Sequence, residues 1–499
     1  MQPISFLDFH PAPGLLVEWT VTPETASTAR LAPIDPVPLS YNQELHLWSS
    51  LAAHDAGLPG NPWIATSFDI DGPADLQALG DAFTLWLRRH ETTRSGFRTG
   101  DDGIERFTLP PEAVSLVQRA PSLFTSEEAL HAYLDERFAA GTDPFAWPPI
   151  VLGVISRGTR STVFVALDHV AGDGFSLALA VWELQTSYSA FLMGQRPELP
   201  ETGSFLELCA VERSRGAAVV IDDPAVGTWR EFVRACGGTT PTFPLDLGLG
   251  GQPWPQTVSN SQLLTPEEAS AFEAVCTAAG GGLFAGLLTA MAISVHSITG
   301  EKDFRTVIPV HTRHEPQWQH AMGWFITCHP VDFSLAGDDN FVQVMERAQQ
   351  SIRSAIRLAR IPALRILELL GDDFHVTRKD LFSMVSFTDY RKLPGGGRHA
   401  EWNAKTIGRV TEADDTHVWV SRQYDGVHLS IRHPDTPYAA EILDEYSRLI
   451  REVMTRVAHD GTYPGENPGR CARMINAAPN EPLGVVDCER LQSADLAAI

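Results

Sequence analysis

Basic residues are scarce in this chain. Against 62 Asp and Glu stand only 38 Lys and Arg, a formal charge of −24 at pH 7 over 499 residues. Binding to a phosphate backbone needs a surplus of cations, so non-specific nucleic-acid binding is excluded. Cysteine is also scarce. Cys209, Cys236, Cys276, Cys328, Cys471 and Cys488 are scattered with no CxxC spacing, which argues against a disulfide scaffold and a zinc ribbon. Long apolar runs are missing as well. Residues 275–300 carry no Asp, Glu, Lys or Arg. Their apolar part, 283–295, is nevertheless shorter than the roughly 20 residues of a spanning helix, and it reads as a buried core helix. The opening MQPISFLDFHPAPG has neither a basic start nor an apolar centre. No secretory signal is expected, and the expected location is the reducing cytoplasm.

What is present is globular. Hydrophobic residues make up 43% and charged residues 20%, which excludes wholesale disorder. The length allows about three domains of ordinary size or two large lobes. The Pro-rich first 40 residues read as an irregular surface arm. Residues 75–89 place Leu76, Leu79, Phe83 and Trp86 at helical spacing. The run STVFVAL at 161–167 reads as a buried strand, and 174–192 as a helix packed on its sheet. Residues 216–255 combine a short helix around 229–236 with Gly/Pro-rich loops, as a crossover between lobes would. A second αβ series follows: helices at 265–279, 283–298, 341–360 and 439–459, and strands at 303–309, 381–387 and 417–421. The expected division is an N-terminal lobe at 1–215, a C-terminal lobe at 216–475 and a peripheral tail at 476–499. Two α/β lobes would place an active site in the cleft between them.

The chemistry concentrates in Asp168-His169-Val170-Ala171-Gly172-Asp173-Gly174. A strand leads into it and a helix leaves it. His169 at the strand end has a fixed backbone, and an ordinary imidazole pKa suits a general base. Gly174 permits close backbone approach and unusual φ/ψ. N–H groups at the helix start can face a developing oxyanion. Asp173 can cap that helix or pair with a distant Arg.

HVAGDG resembles the core of HHxxxDG, the motif of the condensation-domain and chloramphenicol acetyltransferase-like superfamily. Other stretches resemble the superfamily's motifs in the same order. Leu39-Ser40-Tyr41-Asn42-Gln43 with Leu47-Trp48 is similar to LSxxQxxLW, and Arg89 through Phe97 to RHExLRTxF. Thr299-Gly300, Asp303-Phe304, Pro309 and Arg313 resemble TGxxDFxxGxPxxxR, and Gly323-Trp324-Phe325 resembles GxFxN. The resemblance runs from about residue 39 to 460. The opening FLDFHPAPGLLVEW, Phe243–Gly248, MGWFITCHPV and Met384–Asp389 are most similar to actinobacterial polyketide-associated acyltransferases. Two departures stand out. Asp168 replaces the first His of the motif, and Ile326-Thr327 follow Phe325 where the asparagine is expected.

The resemblance implies a mixed α/β (α+β) fold of two chloramphenicol acetyltransferase-like lobes in a V, with the active site between them. It implies a thioester-dependent acyltransferase that forms an ester on a hydroxyl acceptor in lipid, polyketide or other natural-product biosynthesis. His169 and Gly174 would be catalytic, with His169 the general base. Asp173 would pair structurally with Arg313 across the lobes. The co-substrate would be acyl-coenzyme A or an acyl- or peptidyl-carrier protein arriving in trans, with no bound cofactor, no metal and no transmembrane segment. Two alternatives stay open: amide formation by a free-standing condensation enzyme of nonribosomal peptide biosynthesis, and a non-catalytic recruiting module.

Other constellations point less far. His311, His314 and His320 cluster, but Trp318 stands where HExxH needs its second His. Gly248 to Gly251 and Gly280 to Gly282 lack the strand–GxGxxG–helix setting of a nucleotide site, and no GxSxG elbow marks a serine hydrolase. Residues 341–400 are locally basic. They read either as a solvated face or as a landing surface for coenzyme A phosphates or an acidic carrier protein. On the second reading Arg391 and Lys392, in a loop expected to be mobile, would bind the donor.

Overall fold

The computed structural model describes residues 1–57, 63–101, 103–249, 253–337, 339–378 and 381–463. The expected tail at 476–499, the end of the second lobe's expected range, Cys471, Cys488, Gly250 and Gly251 lie outside the described residues.

Two sheets organise the chain. The larger has eight strands in the order Gln2–Ser5, Lys405–Gly408, Trp63–Asp71, Arg160–Asp168, Ile150–Ser156, Leu15–Val21 and Leu116–Gln118, with Ser122–Leu123 also on Leu15–Val21. Its central strand, Arg160–Asp168, is buried on both faces. Val163, Val165 and Leu167 join the core beneath the Leu76–Arg89 and Gly174–Leu192 helices, while Phe164 and Ala166 face the core of the Glu127–Gly141 helix. Side chains alternate across a strand, so an uninterrupted apolar run serves a sheet covered on both sides.

The second sheet runs Val385–Asp389, His417–Gln423, Gly426–Pro434, Trp254–Leu264 and Glu412–Ala413. The hairpin of Asp303–His311 and Ile326–Ser334 touches it through a parallel bridge from Val307 to Met384. Its core takes in the Pro266–Ala278, Leu283–Thr299, Phe341–Leu358 and Pro437–Asp460 helices. Leu283–Thr299, the apolar segment of the sequence, is mostly buried there. No single helix among the described residues is long and apolar enough to cross a membrane.

The helix starts follow from capping chemistry. Ser40 with Gln43, Thr265 with Glu268 and Asn340 with Gln343 each form a capping box, so side chains satisfy two orphan backbone donors at each end.

The first 40 residues are not the irregular arm expected. Gln2–Ser5 and Leu15–Val21 are strands of the large sheet, and Pro23–Leu31 is a helix. The prolines mark borders instead of interiors. Leu15–Val21 fits between Pro13 and Pro23, and Pro23 opens its helix where no N–H is needed. The expected loop region at 216–255 is bounded by the Phe205–Ala218 helix and the Trp254–Leu264 strand, with a helix at Pro224–Ala235. The strand expected at 381–387 is Val385–Asp389.

Strand pairing also joins the two halves of the chain. Lys405–Gly408, from the second half, lies between Gln2–Ser5 (parallel) and Trp63–Asp71 (antiparallel). Its Ile407 is fully covered in the first lobe's core. Ile407→Ala is expected to cost about 2–5 kcal/mol through a lost contact and a cavity. The check is the urea midpoint, which should fall without loss of a cooperative transition.

Candidate functional site

The site is built where the motif loop meets the second half of the chain. Trp63 pairs with Asp168 at the end of the sheet, so His169 is the first residue beyond the last rung. It begins a short turn, His169–Ala171, capped by Asp168, whose Oδ1 accepts from the Val170 N–H at 2.8 Å. The Gly174–Leu192 helix starts behind it with Asp173 as its cap, Oδ1 accepting from the Ser176 N–H at 2.8 Å.

Asp173 and Arg313 meet. Arg313 Nη2 lies 3.1 Å from Oδ1 and 3.3 Å from Oδ2, and both side chains are buried. Asp173 Oδ2 also accepts from the Phe325 N–H at 3.0 Å. Arg313 Nη1 donates to the carbonyls of Trp318, at 3.0 Å, and Ala321. Its guanidinium sits 3.9 Å from the Phe325 ring centroid and 4.6 Å from that of Phe175. Burial pulls the guanidinium's pKa down, and Asp173 works against that shift.

His169 is only partly buried. Its Nδ1 is enclosed, turned toward the residue's own backbone, and reaches no partner of normal hydrogen-bond geometry. Nε2 is therefore the nitrogen left to meet a substrate. Burial, and then the charge of His46, push the ring's pKa from 6.5 down to about 4; Asp168 and Asp173 oppose this. A base with that pKa is unprotonated at neutral pH, ready to accept a proton.

Three neighbours of His169 went unassigned in the sequence. His46, on the Tyr41–Asp55 helix, places Nε2 2.7 Å from Asp168 Oδ1. Thus the residue standing in for the motif's first His has a histidine of its own as partner. Gln43, on the same helix, donates to the Val170 carbonyl at 3.1 Å. Trp324 packs against His169 in a tilted contact, with ring centroids 4.0 Å apart. The signal for His46 was its place one residue before Leu47-Trp48 in the first motif; for Trp324 it was the GxFxN-like segment.

Other candidates sit differently from expectation. Gly174 does not adopt a left-handed conformation, and a Cβ there would meet no protein atom. The constraint expected of it falls on Gly323, with φ of 154°, where a Cβ would sit 2.2 Å from the Phe205 ring. Arg391 is not a vacant donor-binding group. Its fork grips Asp389 in two bonds of 2.8 Å, and Nη2 also reaches Glu273 Oε1 at 3.1 Å. Lys392, 3.5 Å from Asp389 Oδ2, is mostly exposed. Their loop is folded back: His399 Nε2 lies 2.9 Å from the Pro394 carbonyl, and Gly395 packs on Trp402. Much of the basic segment is likewise paired, Arg347 with Asp339, Arg365 with Glu368 and Arg378 with Asp415. Thr327, near the missing asparagine, accepts from the Ala363 N–H at 3.2 Å and so serves the start of the Ala363–Leu370 helix. Among the described residues, no group of three or more His, Cys, Asp or Glu is arranged to hold a metal ion.

A small cavity of about 20 Å³ borders the start of the Tyr41–Asp55 helix, lined by Tyr41, Asn42, Glu212, Thr327 and Cys328 among others. Burial raises Glu212 to about 7, although the Tyr41 N–H donates to it at 3.0 Å. Asn42 and His46 lie one helical turn apart, so this cavity is close to the motif loop.

The Condensation domain family model matches residues 63–411. The chain belongs to the condensation-domain family. It is 31% identical over 461 residues to the 2'-acyl-2-O-sulfo-trehalose (hydroxy)phthioceranyltransferase PapA1 of Mycobacterium tuberculosis, covering 91% of this chain and 88% of that one. The solved PapA2 acyl transferase is similar in structure, with a TM-score of 0.84 at 27% identity over 92% of this chain and 100% of the other. The starter condensation domain of rhizomide synthetase, solved with C8-CoA, shares the fold alone, with a TM-score of 0.61 at 18% identity over 86% and 96%. The two lobes are those of the condensation fold, and the protein is an enzyme of the acyltransferase type. That sets aside the recruiting-module alternative.

The Asp173–Arg313 pair generates a test. Removing one partner from a buried, hydrogen-bonded pair leaves an uncompensated charge and costs about 3–5 kcal/mol. Arg313→Ala is expected to fall in that range in chemical denaturation. Arg313→Lys should recover little, because an ammonium cannot bridge Asp173 and two carbonyls as a planar fork does.

Proposed function

We propose that this protein transfers an acyl group from a thioester to a hydroxyl of a lipid-type acceptor, forming an ester, with His169 as general base. The observation that carries the reading is the setting of His169. It combines an open Nε2, an enclosed Nδ1 and a depressed pKa at the junction of the two lobes, in a chain similar over most of its length to acyltransferases of sulfated trehalose lipids. Nε2 would take the proton of the acceptor hydroxyl as its oxygen attacks the thioester carbonyl. The tetrahedral adduct then collapses, the C–S bond breaks, and the proton passes from the imidazolium to the departing thiolate. Holding acceptor and thioester in one cleft contributes through proximity. Asp173 and Arg313 take no part in proton transfer; they fix the loop that carries the base.

The donor is acyl-coenzyme A or an acyl chain on a carrier protein. A condensation domain of the same fold was solved with C8-CoA, which supports the first. We place the enzyme in the reducing cytoplasm, where the described cysteines, Cys209, Cys236, Cys276 and Cys328, would remain thiols as they are here. Amide formation on an amine acceptor is the second outcome that an acceptor panel distinguishes.

The experiment is thiol release from a panel of acyl-CoA and acyl-carrier thioesters, with and without hydroxyl and amine acceptors. His169→Ala should lower acceptor-dependent release by about 10²- to 10⁴-fold with unchanged unfolding behaviour. Because the ring's pKa lies at about 4, kcat/KM should be flat across neutral pH and fall only on approach to about 4. An acid limb centred near 6.5 would contradict the depressed pKa, and full activity in His169→Ala would contradict the assignment.

A further inference from the structure

Accepting a proton turns His169 into a cation, and the surroundings resist that. Burial and the charge of His46 both disfavour the imidazolium. The groups facing it are few. His46 comes from the Tyr41–Asp55 helix, Asp168 from the strand end and Asp173 from the helix cap, with Arg313 beyond Asp173. Neither carboxylate is hydrogen-bonded to Nδ1. Asp168 is turned to His46 and the Val170 N–H, and Asp173 to Arg313, Ser176 and the Phe325 N–H.

The group that does lie on the ring is an indole. Trp324 packs on His169 in a tilted contact, with ring centroids 4.0 Å apart and 33° between the planes, and makes an edge contact with His46 at 5.6 Å and 80°. Its backbone is fixed on both sides by the motif helix. The preceding Gly323 N–H donates to Ser176 Oγ at 3.2 Å, and the following Phe325 N–H donates to Asp173 Oδ2. Gly323 packs against Phe205 so closely that no side chain fits there. The indole, which comes from the second half of the chain, is thus held against the base by residues of the first half.

We propose that Trp324 is a positioning residue for the acyl transfer, its π face stabilising the His169 imidazolium in the place where other bases carry a hydrogen-bonded carboxylate. An aromatic face attracts a cation through its quadrupole, most strongly where water is excluded. This rests on the acyl-transfer reading above, so the test carries a readout that does not need it.

Position 324 is substituted with tryptophan carrying one, two and three ring fluorines, which weakens the π face at nearly constant shape, and with Trp324→Phe. Two rates are measured at neutral pH. The first is kcat/KM for acyl transfer. The second is site-resolved carbethoxylation of His169 by diethyl pyrocarbonate. There Nε2 attacks the anhydride carbonyl and displaces ethyl carbonate, so the ring becomes cationic before Nδ1 releases its proton. Both rates should fall stepwise with fluorine, by about tenfold in all. Exposed His10 and His459 should react as before, and the unfolding temperature should hold. Rates that stay flat along the series would overturn the proposal and leave the indole as packing. A stepwise fall in carbethoxylation without transfer from any thioester would uphold the π contact and remove the acyl-transfer reading. Vigorous transfer indifferent to fluorine would do the reverse.

Discussion

The buried ion pair between Asp173 and Arg313 joins residues 140 positions apart, and the site depends on it. Desolvating two charges is expensive, and their attraction alone does not offset the cost. The remaining lone pairs and protons must be satisfied, and nearly all of them are. Asp173 receives the Ser176 and Phe325 N–H groups, while Arg313 reaches the Trp318 and Ala321 carbonyls and lies between two aromatic rings. One carboxylate therefore caps the motif helix, anchors the segment carrying Trp324 and balances the cation. Each half of the chain supplies what the other cannot bury alone.

That arrangement explains how a weak local signal becomes a reactive site. A histidine at a strand end is common. Here its Nδ1 is enclosed, Nε2 remains open, and its ring lies under an indole contributed from residue 324. The substitution of Asp168 for the usual first His does not empty that position. His46 faces Asp168 at 2.7 Å, so a His–Asp contact braces the turn from the side of the first helix of the motif series.

Much of the secondary structure was legible because its signals are local. The helices expected from Asp75 and Thr265 begin one residue later, behind those caps, the helix expected from 341 begins there, and STVFVAL is the strand its composition indicates. Elsewhere the structure adds what the local pattern leaves out. Leu15–Val21 looked irregular because prolines flank it, although none interrupts it. Arg391 and its basic neighbours looked available because their carboxylate partners are Asp389, close by but unremarked, and Glu273, far away in sequence. Gly174 looked conformationally special, whereas the crowded glycine beside the site is Gly323, because of a phenylalanine ring more than a hundred residues away.

Reading along the chain was enough for the ordered motifs, the candidate base His169, the net acidic charge and the elements written in caps and periodicity, since each is set by neighbours in sequence. Only the tertiary structure decided which nitrogen of His169 is open, that His46 partners Asp168, that Trp324 covers the base, and that Lys405–Gly408 completes the first lobe's sheet from the second half. Burial, desolvation and ring contact depend on residues brought together across the fold, and no spacing along the chain encodes those distances.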